Sequence, residues 1–304
     1  MKRSSDSSQY LRRDERPARK RPIIVAAAVP ATAWLIIFVL VPGIIIGVAS
    51  LWTSDLYGLH PIWTLHQWHR VLTTPLYFML LLKTMRIAVV ATAISLIVAY
   101  PVALYLSQLR ESTKRAALMV IFIPFWVGFV VRTFAWLPIL GRQGLLNHVL
   151  LSLGITHAPI SSFLYNEGAV YLGLINGYLL FMILPIYLAL DSIDPAMLEA
   201  AADLSAGPWG RFRFVLLPLS MPGVLAGCIM VLLLNFGAYV TPALLGGPSG
   251  IMFSNAIAQQ FIADNNWAFG ACLSLLMTAA ALCGLFAVSR TAGMRRLLAP
   301  GETR

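Results

Sequence analysis

Charged residues are scarce in this 304-residue sequence, at 11% of the total, whereas hydrophobic residues make up 59%. Soluble domains carry about 25% charged residues, so the composition excludes a soluble domain. The 12 acidic residues all fall in loops or at the ends of apolar runs, and a proton-driven carrier usually needs carboxylates inside the membrane. The sequence also lacks a phosphate-binding loop of the form G-x-x-x-x-G-K-S/T. It therefore offers neither an ATP site nor a proton relay of the usual kinds.

Metal-binding and redox-active residues are equally few. The three cysteines, Cys228, Cys272 and Cys283, lie within apolar runs, where they behave as small apolar side chains. The five histidines lie between the runs, and His66 and His69 are spaced to share a helix face. No third ligand accompanies that pair, so solvated histidines are the preferred interpretation. We expect no disulfide, no metal site and no catalytic residue.

Six apolar runs are long enough to cross a membrane, which takes about 20 residues for a hydrocarbon core of about 30 Å. They cover residues 23–50, 84–109, 117–140, 168–190, 222–245 and 268–289. The first is too long, and its basic flank too extended, for a cleaved secretory signal, so we expect it to be retained. The pattern predicts an all-α integral membrane protein with six transmembrane helices.

The basic residues predict the orientation of these spans. Seventeen of the 22 Lys and Arg residues fall in four segments on one side, namely 1–22, 110–115, 191–221 and 290–304. Cytoplasmic loops carry such an excess, so both termini are expected in the cytoplasm. The net charge of +10 then reflects topology, with no nucleic-acid partner implied. The flexible basic tail is expected to contact anionic lipid.

A polar segment between the fourth and fifth runs has the composition of a helix exposed to water. Asp194 is a good N-cap and Pro195 suits the first helical position. Residues 199–204 are strong helix formers, and Gly207 followed by Pro208 is expected to end the helix through a left-handed glycine.

A second amphipathic stretch follows, and Pro218 and Pro222 are expected to interrupt it. A membrane protein has good reason to keep a capped, Ala-rich helix in water if a soluble partner grips it there. The alternative is an interfacial helix without a partner.

Several stretches resemble permease subunits of binding-protein-dependent ABC importers of the spermidine/putrescine type. The most specific are "EAAADLSAG" followed by "LP", which resembles the EAA loop of that family, and "PFW" followed by "VRTFAW". The resemblance covers roughly residues 30–290. It implies a type I importer permease fold, also called MetI-like, in the bacterial inner membrane. The implied domains are a basic cytoplasmic tail over 1–22, a transmembrane permease domain over 23–290 with the coupling EAA loop at 191–221, and a cytoplasmic tail over 291–304.

The resemblance also implies partners: a second related permease, two cytoplasmic ATPases and a periplasmic solute-binding protein. ATP and Mg would be bound by the ATPases, and this chain would hold no cofactor. The expected solute is a polyamine or a related small molecule.

Positions that match the family motif imply a coupling role for part of the exposed helix. Glu199, Ala200, Ala201 and Asp203 would face the ATPase, and Gly207 would shape the turn. The family usually has Gly six residues after the motif Glu, where this chain has Ser205. The hinge is therefore expected at Ser205 or Gly207.

Polar and aromatic residues inside the runs are candidates for lining the solute path. The main ones are Trp126, Arg132, Asn235, Tyr239 and Thr241, with Trp136, Asn176 and Tyr178 as further candidates. An aromatic face attracts an ammonium group by roughly 0.5–2 kcal/mol. Alternatively, Trp and Tyr anchor spans at the interface, and Asn and Thr bond neighbouring helices.

Arg132 is expected to pair with a backbone carbonyl or a partner acid, or to lie shallow enough for its charge to reach the interface, because an unpaired charge in a span is costly. Ala238 stands where relatives often carry an acid before "VTP", which weakens the case for a cationic solute.

The alternative function is an ion-coupled secondary transporter. Such a protein needs inverted repeats and ion-coupling residues at mid-membrane, and the sequence shows neither.

Overall fold

The computed structural model describes residues 21–55, 58–205 and 207–290. The predicted tails lie outside these ranges, apart from residues 21 and 22. Within the described ranges, fifteen α-helices are present. Their bounds are α1 Arg21–Ala49, α2 His66–Thr73, α3 Pro75–Ser107, α4 Glu111–Trp126, α5 Phe129–Phe134, α6 Trp136–Leu140, α7 Leu145–Ser152, α8 Glu167–Asp191, α9 Pro195–Asp203, α10 Pro208–Arg211, α11 Leu217–Phe236, α12 Val240–Leu245, α13 Gly247–Gly250, α14 Phe253–Ile262 and α15 Trp267–Arg290. A 3-10 turn covers Ser161–Phe163, and a π-helical turn covers Phe212–Leu216.

Five helical segments in the described part of the chain are long and apolar enough to span a membrane: α1, α3, α8, the continuous run from α10 through α11, and α15. A sixth span is obtained when α4 and the helices from α5 to α7 are counted as one broken span. The predicted all-α class with six spans is therefore confirmed, with one span bent.

Three of these spans, α3, α8 and α11, form the centre of the bundle. Small residues on α3 let the neighbouring helices approach closely, since Ala99 and Ala103 are fully buried against Met182 and Ile186 of α8. Gly223 of α11 faces α8 in the same way. Small residues at helix contacts are typical of membrane bundles. The hydrophobic effect does not drive helices together in lipid, so their association depends on close van der Waals packing.

The third predicted span, 117–140, is wrong as a continuous helix. The helix starts at Glu111 and ends at Trp126, and the following segment is bent from it by 88°. Val127 and Gly128 take non-helical angles, with ψ of 130° and 140°. Pro124 lacks an N–H and crowds the preceding turn, and glycine is a poor helix former. Together they explain the break.

The second and fifth spans also differ from their predicted bounds. α3 starts at Pro75, its first helical residue, rather than at 84. The fifth span continues through Pro218 and Pro222 and ends at Phe236, so the predicted interruption is wrong. A proline ring clashes with the carbonyl four residues before it. For Pro218 that carbonyl lies in the wider π turn, which gives the ring room.

A short β-hairpin on the predicted outer side was not expected from the sequence. Its strands are β1, Thr53–Asp55, and β2, Gly58–His60, paired antiparallel with Ser54 opposite Leu59. The Oγ of Ser54 accepts a hydrogen bond from the backbone N–H of Trp267 at 3.1 Å. The hairpin is thereby attached to the start of α15.

Candidate functional site

The polar segment between the fourth and fifth spans forms the predicted capped helix, α9. Oδ1 of Asp194 accepts a hydrogen bond from the backbone N–H of Ala196 at 2.9 Å, and Pro195 is the first helical residue. Both assignments are confirmed. All nine residues of α9 are described, and none of them is buried.

The turn after α9 is made by Ser205. Ser205 has φ +62°, in the left-handed region, whereas Gly207 has φ −62° and ψ 171° and precedes α10. The expectation that Gly207 supplies the left-handed residue is wrong. Ser205 stands at the position where the family pattern has Gly. A non-glycine residue in the left-handed region costs about 1–2 kcal/mol. The backbone N–H of Ser205 donates to the carbonyl of Ala202 at 2.8 Å, which closes the helix end.

The residues assigned to coupling share one exposed helix. Glu199, Ala200 and Asp203 are exposed, and Ala201 is half-buried. Gly207 is also exposed, and open space surrounds the position where a Cβ would lie.

Large apolar side chains close to these residues in the sequence are exposed as well. Leu204 is 85% exposed and Trp209 is 69% exposed, and Met197 is also exposed. Exposed apolar side chains next to carboxylates on a short helix are typical of a contact surface.

An ion-pair network lies at the base of α9, and the sequence analysis missed it. Nζ of Lys114 on α4 lies 2.6 Å from Oδ1 of Asp191, the last residue of α8, and 3.0 Å from Oε1 of Glu111. The hydroxyl of Tyr187 donates to Oδ2 of Asp191 at 3.3 Å. Lys114 is only 8% exposed. Acids at i−3 and at the end of the following span were the available signal, but Lys114 was treated only as a topology charge.

The break after α4 brings Arg132 back onto its own span. Nη1 of Arg132 donates to the carbonyl of Pro124 at 3.2 Å, and Nη2 donates to the carbonyl of Gly177 on α8 at 3.3 Å. Its guanidinium carbon lies 4.3 Å from the centre of the Phe125 ring. The carbonyl of Pro124 lies in the last turn of α4, where no helical N–H follows to bond it. The expected pairing of Arg132 with a backbone carbonyl is confirmed.

An aromatic stack closes the same region. The rings of Phe129 and Tyr178 are stacked with centroids 5.3 Å apart. Gly177 permits this approach, since a Cβ there would lie 2.8 Å from Cε2 of Phe129.

The five main path candidates do not converge on one surface of this chain. Trp126 is 91% exposed and Tyr239 is half-exposed, whereas Asn235 and Thr241 are fully buried. Nδ2 of Asn235 donates to Oγ1 of Thr92 on α3 at 3.2 Å, which is the helix-bonding alternative for an Asn. Their role in lining a path stays a prediction.

A second ion pair lies at the other end of α8. Glu167, the first residue of that helix, contacts Nη2 of Arg86 on α3 at 2.6 Å. The hydroxyl of Tyr171 donates to the same carboxylate at 3.0 Å. One of the few acids on the predicted outer side is thus already paired.

The described part of the chain is thus a bundle of membrane-spanning helices with one broken span and an exposed, capped helix. Residues 20–302 match the family described as "Binding-protein-dependent transport system inner membrane component", and the chain belongs to that family. It is 36% identical over 246 residues to the spermidine/putrescine transport system permease protein PotB of Haemophilus influenzae, covering 81% of this chain and 86% of that protein. The identity to PotB of Escherichia coli K12 is 35% over 251 residues, covering 82% and 90%.

The fold agrees with a solved transporter. A chain of a bacterial alginate ABC transporter, crystallised with its alginate pentasaccharide-bound periplasmic protein, superimposes with a TM-score of 0.64 at 17% identity, covering 89% of this chain and 95% of that one. The protein is therefore an ABC importer permease subunit with the MetI-like fold, in the inner membrane as a multi-pass protein.

Proposed function

We propose that this chain and a second, related permease enclose a path for polyamines, which opens when one of two cytoplasmic ATPases binds α9 and the ATPase pair closes. The observation that carries the proposal is α9 itself, a capped helix with no buried residue among its nine described ones. A helix of that length is marginal on its own in water. Its apolar side chains, Leu204 above all, gain a reason to be exposed if an ATPase surface covers them.

The carboxylates of α9 suit the same partner. Glu199 and Asp203 lie four residues apart and so share one helix face. A carboxylate on a contact surface forms its strongest hydrogen bonds with arginine. ATP and Mg would be held by the ATPases, and closure of the ATPase pair would move α9. The chain itself would make and break no bonds.

The orientation of the proposal follows from the basic residues. With the excess of Lys and Arg inside, α9 and both termini face the cytoplasm. The opposite side would receive solute from a periplasmic binding protein. The family name supports a binding-protein partner, and the orientation remains part of the proposal.

The polyamine assignment is supported by the names of the relatives. Aromatic faces rather than carboxylates would hold the solute, since Glu167 is paired and Ala238 replaces an acid. Among the described residues, Trp126 at the break in the third span is the most exposed aromatic side chain available for a cation–π contact.

The test is uptake of radiolabelled putrescine by proteoliposomes that contain the importer assembled from all five components. We expect uptake to need ATP and the binding protein. We expect it to be lost in Glu199→Lys, because the lysine would repel the basic group of the ATPase that the Glu199 carboxylate is proposed to contact. Arg213→Gln, on the exposed segment beyond the turn, is the charge control and should keep uptake. Uptake that collapses with the proton gradient while ATP is held constant would contradict the proposal and support an ion-coupled transporter.

A further inference from the structure

The last residue of α8 ties two parts of the chain together at the base of α9. Asp191 lies three residues before Asp194, the N-cap of α9. Its carboxylate contacts Lys114 at 2.6 Å, and Lys114 lies in the first turn of α4, the helix that leads to the break at Trp126. A displacement of α9 therefore acts directly on a residue that is bonded to another span.

Free space lies next to this contact. A cleft of about 250 Å³ is lined by Lys114 and Asp191 together with Ser107 and Gln108 of the α3 end and Leu198 of α9. Leu198 is only half-buried, so α9 is not wedged into the bundle. The cleft leaves space into which α9 could be displaced. The ion pair between Asp191 and Lys114 links such a displacement to α4.

The route continues along α4 to the middle of the span. Beyond the break, Arg132 holds the carbonyls of Pro124 and Gly177. α4 and α8 are thus connected at two heights, by an ion pair at the end and by a guanidinium bridge near the middle. A pull at the end can then rotate α4 about the bridge.

We propose that Lys114 is a positioning residue that couples α9 to the broken span through Asp191. The inference rests on the proposed function, since the displacement must come from an ATPase. Lys114 is 8% exposed and lies between two carboxylates, whereas the side chain of Asp191 is 34% exposed. Because the lysine is shielded, the attraction between the two charges is screened less than in a fully exposed pair.

The experiment compares Lys114→Met with Arg115→Met. Arg115 is the next residue on α4, it is exposed, and none of the ion pairs within the described ranges involves it. Both variants lose one cytoplasmic-side charge, so their effects on topology should match. The assembled importer is placed in nanodiscs, and ATP hydrolysis is measured with and without putrescine-loaded binding protein.

We expect Lys114→Met to lower the stimulation by the loaded binding protein about tenfold, and Arg115→Met to change it by less than about twofold. Lys114→Arg should restore most of the stimulation. The double variant Lys114→Met/Asp191→Asn should be no worse than either single variant, because both remove the same contact. Each variant should co-purify with the same amount of ATPase as the wild type.

Equal effects of Lys114→Met and Arg115→Met would overturn the inference, as would loss of the ATPase from the Lys114→Met complex, which would indicate a role in assembly. Additive effects of the two single variants would also overturn it. Failure of the proposed function is seen separately, as a wild-type importer whose hydrolysis does not respond to the loaded binding protein.

Discussion

Replacing Gly223 by alanine tests how tightly α11 packs on α8. A Cβ built on Gly223 would overlap the carbonyl of Pro185 and lie 2.6 Å from the Cβ of Ala189. Carbon atoms pack best at about 3.5–4.0 Å, so the helices must separate by roughly 1 Å. Rotation of a side chain cannot relieve the overlap, because the nearest obstacle is a backbone carbonyl.

The expected cost follows from that separation. Overpacking of a core costs about 1–3 kcal/mol, and a gap of about 0.5–1 Å removes a quarter to a half of each contact energy along the interface. The value for Gly223→Ala should lie near the upper end, about 3 kcal/mol. With about 2–4 °C per kcal/mol for larger chains, Tm should fall by roughly 6–12 °C. Thermal unfolding of the purified chain in detergent, followed by tryptophan fluorescence, measures this shift.

Gly227 of the same helix and Gly237, the residue that follows the helix, provide the controls. A Cβ on Gly227 would meet Sδ of Met182 at 3.0 Å and the carbonyl oxygen of Met182 at 3.2 Å. The sulfur can give way and the backbone contact is less tight than at Gly223, so a smaller loss is expected. At Gly237 the nearest atom is 3.6 Å away, an ordinary contact, and alanine should leave Tm unchanged. Equal melting of Gly223→Ala and Gly237→Ala would refute the close-packed interface.

Three further predictions concern the ends and the middle of the spans. Ser205→Gly should slow hydrogen exchange at the end of α9, because it removes a left-handed cost of about 1–2 kcal/mol, whereas Ser205→Val should speed it; the reverse order would contradict the turn assignment. Arg132→Lys should lower stability by about 1–2 kcal/mol in denaturant or thermal unfolding, since an ammonium cannot reach both carbonyls that the guanidinium bridges; an unchanged Tm would show that the bridge is not formed. A double-mutant cycle on Arg86→Gln and Glu167→Gln should give a coupling energy below about 1 kcal/mol, because the arginine side chain is 60% exposed; a clearly larger value would show that the pair is shielded from water.

The number and type of the spans could be predicted from hydrophobicity, because run length alone decides whether a helix can cross the membrane. What hydrophobicity could not predict was the effect of each proline. Pro124 and Pro218 look alike in the sequence, yet α4 ends two residues after the first and α11 continues through the second. After Pro124 the backbone leaves the helix at Val127 and Gly128, whereas a wider π turn precedes Pro218 and the helix continues.

The first residue of the exposed helix α9 could be predicted from the sequence, but the residue that makes the turn at its end could not. An N-cap is a local hydrogen bond between Asp194 and a backbone N–H two residues on, so it can be read from sequence. The turn depends on which residue takes the left-handed conformation, and glycine preference pointed to Gly207 although Ser205 adopts it. The Lys114 contact joins residues 77 positions apart, and only the packing of α4 against α8 brings them together.

The positions of the acidic residues suggest why the sequence has so few of them. Glu111, Glu167 and Asp191 are terminal residues of their helices, and each contacts a cation there. Glu167 and Asp191 each tie two spans together in this way, without the cost of a charge at the centre of the membrane. Toward the middle of the third span, the only charged residue in its described part is Arg132, whose guanidinium donates to two backbone carbonyls. If the solute is a polyamine, this distribution also helps it to leave, since conduction requires binding weak enough to release, and an aromatic face holds a cation less tightly than a buried carboxylate would.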